Sequence, residues 1–433
     1  MPSRSALCAL VLTLLFACRC ADAADRFPWL RTPLSAFPGT DRFNAVPILS
    51  DATVAFLANH YDVVSFGGGI TNPTNATCGE DRIADVGRRL LAANASVRPM
   101  FYLNDIINYL DVCAAKEFER RPDLWLRKPD GAPALMRGLH LRDVSLPAVH
   151  AWYAATLSNA SVLPYIRGAY CDKAVVVAST WTKDAGAAKA AEMVVGQRAQ
   201  LDAVRAALGS SRLVVFNGMR APEGLAALDL LPHADGGEME HWLSLEQRLP
   251  NGSLNLRLVA EAITLITAAA ALDPPKAVIL RALPGPCVGG GTGGKTGTGI
   301  QCRWPNNSTP TTPAALQAAA TAFLPFNLAA FLLFAGPSFL MDWGWGYRVE
   351  DYVPCAVLGV GPCYVPDEWW PPLLKAPGTP MGPATNATSP WLFTRTWTGV
   401  NVTVDFIAET AVLEWADGSV DATPPRAPPQ SGQ

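Results

Sequence analysis

Acids, amides and aromatic residues recur where short apolar runs end in this 433-residue chain. Asp172 ends "IRGAYCD" and Asn217 ends "RLVVFN". Glu238, Glu240 and Trp242 fall in "GGEMEHW", Tyr102 and Asn104 in "VRPMFYLND", and Asp342, Trp343, Trp345 and Tyr347 in and just after "SFLMDWGWG". Two carboxyl groups facing one cleft can cleave a glycosidic bond, one as acid and the other as nucleophile or base. Aromatic faces stack on the CH surfaces of sugars, and polar side chains bind the hydroxyls. Asp172 is the first catalytic candidate. Its structural alternative is a strand-end acid that caps the next helix or pairs with Lys173. Glu238 and Glu240 are two apart, so on a strand both face one side and His241 points away. One of the two is the second catalytic candidate and the other a supporting group. Tyr102, Asn104, Asn217, Trp242, Asp342, Trp343, Trp345 and Tyr347 are the candidate substrate-binding residues.

Other chemistries find little support. "GGGTGGKT" (289–296) matches the phosphate-loop pattern but has no strand before it and no helix former after it, so it reads as a loop closed by a disulfide. With five His, no H-E-x-x-H and no spaced Cys/His set, neither a metal nor another cofactor is implied. No G-x-S-x-G elbow occurs. Cys171 reads as a spare buried cysteine rather than a thiol nucleophile.

The elements that must position these residues are legible as eight apolar runs, beginning with "YDVVSFGGG" (61–69), "VRPMFYLND" (97–105) and "LHLRDVS" (139–145). They continue through the fourth, "YIRGAYCD", and then "RLVVFNG", "GGEMEHW", "KAVILRA" and "SFLMDWGWG". Helical patterns lie between them at 81–93, 147–157, 185–208, 254–272 and 313–334. Strands alternating with helices predict an α/β fold, a TIM (β/α)8 barrel over 24–390, with the site at the C-terminal ends of its strands. A doubly wound sheet is the alternative, but "SFGGGITNP" lacks its glycine fingerprint. Residues 391–419 alternate as strands do and predict an appended β hairpin or sheet; 420–433 read as a disordered Pro-rich tail.

Residues 1–23 have the charged start, apolar core and small-residue end of a secretory signal. Eight N-x-[ST] sequons, at Asn75, Asn94, Asn159, Asn251, Asn306, Asn307, Asn386 and Asn401, agree with export. Seven cysteines follow the signal, predicting three bridges (Cys78–Cys113, Cys287–Cys302, Cys355–Cys363) and a free Cys171. Half of the residues are hydrophobic, and the net charge is −3 with no long basic run, which speaks against a nucleic-acid partner. The apolar stretch 322–341 carries Pro325, Asn327, Gly336 and Pro337, so it predicts a buried helix, a turn and a strand rather than a membrane anchor.

Taken in order, "HYDVVSF", "RPMFYLND", "RGAYCD", "LVVFNG", "ADGGEMEHW" and "TRTWTGVNVTV" resemble hypothetical glycosyl hydrolase-like family fifteen. That group is distantly similar to the alpha-linked polygalactosaminidases, and the resemblance runs from about Phe43 to Glu414. Gly168 to Asp172 match its G-x-x-x-D strand end. Asp235, Gly236 and Glu240 match its D-G-x-x-x-E element, which selects Glu240 over Glu238. Arg395, Trp397, Gly399 and Val402 or Val400 match its terminal R-x-[FW]-x-G-x-V pattern, and the Gly-rich insertion and extra cysteines depart from it. The resemblance implies a secreted glycoside hydrolase with a carbohydrate substrate, Asp172 as nucleophile and Glu240 as acid/base. The alternatives are a secreted barrel that binds glycans without cleaving them, or one with other chemistry such as a lyase.

Overall fold

A computed structural model describes residues 34–36, 49–67, 78–174, 178–220, 226–285, 287–288, 301–302, 312–347, 349–359, 363–387 and 389–424. The expected signal, the "GGGTGGKT" loop and the sequons at Asn75, Asn306 and Asn307 lie outside the described residues.

Eight parallel strands close into a barrel in which each pairs with its neighbours in sequence. They are β1 (Leu34–Ala36), β2 (Val63–Phe66), β3 (Arg98–Asn104), β4 (Gly168–Asp172), β5 (Leu213–Asn217), β6 (Gly236–Trp242), β7 (Ala277–Ala282) and β8 (Phe339–Trp343). Closure is made by β1, which pairs with β8 through Leu34↔Met341 and with β2 through Ser35↔Val63. The fold is the TIM barrel that the alternating pattern predicts.

Two strand assignments need correction, and they offset each other. The first strand is Leu34–Ala36, three residues between two prolines, too short to show a pattern. The expected third strand is not in the barrel: Leu139–His140 pairs antiparallel with Leu135–Met136 in a two-residue ribbon. Its His140, Arg142 and Asp143 break the continuous apolar run that a barrel strand covered on both faces requires. Strands four to eight therefore keep their expected numbers.

The helices that cover the barrel are α1 (Asp51–His60), α2 (Gly79–Ala93), α3 (Cys113–Phe118), α4 (Pro147–Leu157), α5 (Ala178–Ala185), α6 (Ala187–Leu208), α7 (Leu256–Ala270) and α8 (Pro313–Phe334). Gly186, at φ 80°, separates α5 from α6; the helical pattern at 185–208 corresponds to α6, and α5 is an additional helix. Helix α8 is long and apolar enough to cross a membrane, but 72% of its most apolar window is buried inside the protein. One side of it faces a second layer, a five-stranded antiparallel sheet: β9 (Thr385–Asn386), β10 (Leu392–Thr396), β11 (Val400–Asp405), β12 (Thr410–Trp415) and β13 (Val420–Ala422). This is the appended sheet that the alternation at 391–419 predicts as one of its two forms; β9 precedes that segment, and β13 lies within the segment read as a tail.

Phe406 packs against Phe334 and Phe326 of α8 at ring separations of 6.4 and 6.0 Å. Arg395 donates to the carbonyls of Leu332, Leu333 and Ala335, filling the acceptors that the helix end leaves open. Trp397, two residues on and so on the same face, donates to the Leu332 carbonyl at 3.2 Å. The R-x-W motif is thus the clasp between sheet and helix.

The pairs Cys78–Cys113 and Cys355–Cys363 are disulfides, and Cys171 is a buried free thiol. Cys287 and Cys302 lie opposite one another in a short antiparallel ribbon; their side chains lie outside the described residues.

Candidate active site

The mouth of the barrel is built from strand ends. On β4 the side chains of Tyr170 and Asp172 face the barrel interior, and the intervening Cys171 lies on the outer side beside Tyr153 of α4. Asp172 accepts three hydrogen bonds. Tyr102 Oη and Asn104 Nδ2 of β3 reach its Oδ2 at 2.7 and 2.6 Å, and Asn217 Nδ2 of β5 reaches Oδ1 at 2.9 Å. The Asn104 amide is oriented by the turn after β3, where its Oδ1 accepts from the Ile106 and Ile107 amides at 3.1 and 2.7 Å.

Glu240 of β6 is the second focus. Its Oε2 accepts from Asn217 Nδ2 at 2.9 Å and from Arg220 at 2.5 Å, and its Oε1 accepts from Tyr347 Oη. Arg281 of β7 lies 4.0 Å away, with its guanidinium 3.8 Å over the Tyr347 ring. One nitrogen, Asn217 Nδ2, therefore donates to both carboxylates. The two oxygens it touches lie within twice 2.9 Å of each other.

Glu238 and Asp342 sit deeper. Glu238 accepts from Tyr170 Oη, and Asp342 from Tyr352 Oη at 3.1 Å, with Arg281 Nε 3.7 Å away. Both acids are buried, at 3% and 1% exposure, whereas Asp172 and Glu240 are partly open to solvent. Only two of the four acids can meet a substrate; the others shape the field around them.

That field separates the acids. Burial raises Asp172, the Glu240 charge adds to it, and the bonds from Tyr102 and Asn217 pull the other way. Burial also raises Glu238, with Asp342 and Glu240 adding, and it lifts Asp342 to about 6 against the pull of Arg281. Glu240 is the exception. Burial pushes it up, but His241, Arg220 and Arg281 outweigh that and hold it well below the usual carboxylate range. The field thus eases protonation of Asp172 and stabilises the charge on Glu240.

Tyr102, Asn104, Asn217, Glu238, Asp342 and Tyr347 all gather with Asp172 and Glu240 as the sequence suggests. Two tryptophans do not. Trp242 is buried with its edge to Phe334 of α8, and Trp343 is buried against Trp370, so neither offers an open face. Trp345 is half-buried. Arg142, the basic end of the expected third strand, is fully buried, donating to the Asn104 carbonyl and to Asn108 Oδ1 at 2.8 Å. It braces the turn behind Asn104.

Sequence reasoning missed Arg220, Arg281, Tyr170 and His241. Arg281 carried a signal, because a charge inside the apolar run "KAVILRA" needs a buried partner. His241 was expected to point away from Glu240, yet its Nε2 lies 3.6 Å from Glu240 Oε1. The pairing of β6 with β7 shifts register between Met239 and Trp242, and this bulge breaks the alternation that the expectation assumed.

No family model matches the chain, and no curated protein proved similar to it. Solved structures do resemble it. An alpha-galactosidase from Thermus thermophilus in complex with stachyose is 18% identical over 59% of this chain and 55% of its own, so the chain spans about half of it, with a TM-score of 0.36. A maltogenic alpha-amylase from Thermotoga neapolitana is 9% identical over 91% and 94%, with a TM-score of 0.46. An Anoxybacillus alpha-amylase is 10% identical over 89% and 88%, with a TM-score of 0.48. These structural neighbours are glycoside hydrolases; that this chain is an eight-stranded barrel follows from its own closed strand order.

Proposed function

We propose that this chain is a secreted glycoside hydrolase whose working carboxylates are Asp172 and Glu240. The observation that carries the reading is the shared Asn217 amide, which holds the two solvent-reaching acids of the mouth within hydrogen-bond reach of one nitrogen. A separation of that order supports a retaining mechanism, with carboxyls about 5–5.5 Å apart, over an inverting one at about 6.5–9.5 Å. Asp172 attacks the anomeric carbon as Glu240 gives its proton to the departing oxygen. Water then takes the place of Asp172 at that carbon, returning a proton to Glu240. Tyr102 and Asn104 hold Asp172 in line, and the half-buried Trp345 and Tyr347 are the remaining aromatic candidates for sugar contact. The two disulfides support an oxidising compartment.

This ordering, with Asp172 raised and Glu240 lowered, runs against the chemistry, which needs Asp172 ionised and Glu240 protonated. Arg220 supplies the difference: it bonds Glu240 from the rim, with its side chain 30% exposed. A sugar entering the mouth displaces it, and Glu240 becomes able to take a proton. The same ion pair favours the second reading, a barrel that binds glycans with its acid permanently neutralised. One experiment separates the two. Purified protein is assayed on aryl glycosides and glycans, with Asp172→Asn and Glu240→Gln beside it. Hydrolysis falls by about 10²–10⁴ in each variant, and a fluorinated glycosyl fluoride labels Asp172 in the mass spectrum. Glycan binding without product release establishes the second reading, and wild-type turnover by Asp172→Asn refutes the assignment.

A further inference from the structure

His241 sits between two carboxylates. Its Nδ1 lies 2.6 Å from Glu246 Oε2, and its Nε2 faces Glu240 Oε1 at 3.6 Å. Side-chain exposure rises along this line, from 12% at Glu240 through 15% at His241 to 27% at Glu246, so it leads from the mouth toward solvent. Nothing in the two-carboxylate chemistry requires an imidazole here, and the β6 bulge is what turns it inward.

The segment carrying Glu246 is held tightly. Leu243 and Leu245 adopt left-handed backbone at φ 56° and 49°, which non-glycine residues keep only when their surroundings impose it. The Leu243 amide donates to Gln247 Oε1 at 3.0 Å, and Arg248 Nε donates to the Leu243 carbonyl at 2.9 Å. Arg248 is anchored in turn by Glu409 of the C-terminal sheet, at 2.9 Å in a fully buried ion pair.

We infer that His241, held in place by Glu246, relays protons from solvent to Glu240, a role resting on the hydrolase reading above. In the loading step the Nε2–H bond of the imidazolium breaks and an O–H bond forms on Glu240. Neutral imidazole remains, with its Nδ1–H held by Glu246; a hydronium ion from solvent then re-forms the Nε2–H bond and leaves water, which restores the imidazolium. The charged groups facing His241 are Glu240 and Glu246; Arg220 and Arg281 act on it through Glu240. His241 and Glu246 are positioning residues, since neither touches the reacting atoms. In keeping with this arrangement, burial lowers the imidazole but the Glu240 and Glu246 charges outweigh it and lift it to about 9.

Two measurements on the full chain test the relay. The first needs no activity: the His241 ring is titrated by NMR in the wild type, Glu246→Gln and Glu240→Gln. Its pKa is near 9 in the wild type and falls toward the ordinary value of about 6.5 in both variants. A wild-type value near 6.5, or no response to Glu246→Gln, overturns the relay. The second compares leaving groups. In His241→Gln and Glu246→Gln, kcat on an alkyl glycoside falls about tenfold or more, while a dinitrophenyl glycoside, which needs no acid, loses far less. Equal losses on both substrates mean a merely structural role and also overturn it. If the wild type hydrolyses neither substrate while the NMR shifts are present, the hydrolase reading fails and takes the loading role with it, leaving only the charge coupling.

Discussion

At the scale of single residues, the site is a problem in where one proton rests. Four acids share the mouth, and desolvation raises three of them while local cations lower the fourth. Arg220 is the closest of those cations and one of the most accessible. Arg220→Met removes a positive neighbour from Glu240, so the Glu240 pKa rises. The acid must be protonated to work, so the basic limb of the kcat/KM profile moves to higher pH in this variant. A pH–rate series on one aryl glycoside measures the shift, and an unmoved limb contradicts the charge assignment. Asp172 and Asn217 were legible because they stand at the ends of apolar runs that alternate as strands do, whereas the residues alone left Glu238 and Glu240 open and the resemblance selected Glu240. Arg220 was not legible, because it lies beyond the end of β5 and becomes relevant only when the chain folds it back to 2.5 Å from Glu240.

At the scale of elements, two glycines let the staves approach. A Cβ on Gly236 would lie 2.1 Å from the Ala277 carbonyl oxygen, and one on Gly168 would lie 2.4 Å from that of Leu213. Both obstacles are backbone of the adjacent strand, which cannot rotate away. Gly236→Ala therefore costs on the order of 3 kcal/mol, read as a lower urea midpoint. Gly382→Ala, where a Cβ meets nothing within 4 Å, stays close to the wild type. Seven of the barrel strands and all five expected helices were legible as runs and periods, since their apolar content is what the barrel buries. The β1 strand was not, because three residues carry no period. The ribbon at Leu139–His140 was misread because two apolar residues on either side of a polar one imitate alternation. The β6 bulge was also hidden, because a shift in pairing register is a property of two strands and not of one segment.

At the scale of the whole molecule, the barrel and the C-terminal sheet are joined across α8. The clasp has an apolar part at Phe406 and a polar part at Arg395 and Trp397. The Arg248–Glu409 pair is a third tie, with side-chain exposures of 1% and 2%. Removing one partner leaves a buried charge, so Glu409→Leu destabilises the chain by about 3–5 kcal/mol. Replacing both, as Arg248→Met with Glu409→Leu, recovers much of that loss, and a double-mutant cycle in urea measures the difference. Near-additive losses would mean the two residues act separately.

Barrel closure has a consequence for the order of assembly. The first stave, Leu34–Ala36, has its ladder partners on β2 and on β8, and the latter includes Met341. Seven staves can associate progressively as the chain lengthens, but the seam between the first and last joins residues some three hundred positions apart. Contacts at that separation come late, because their loop entropy is repaid only once the rest is in place. Until then the edges of β2 and β8 are open templates for another chain. The shortest stave of the barrel is therefore also its lock against self-association.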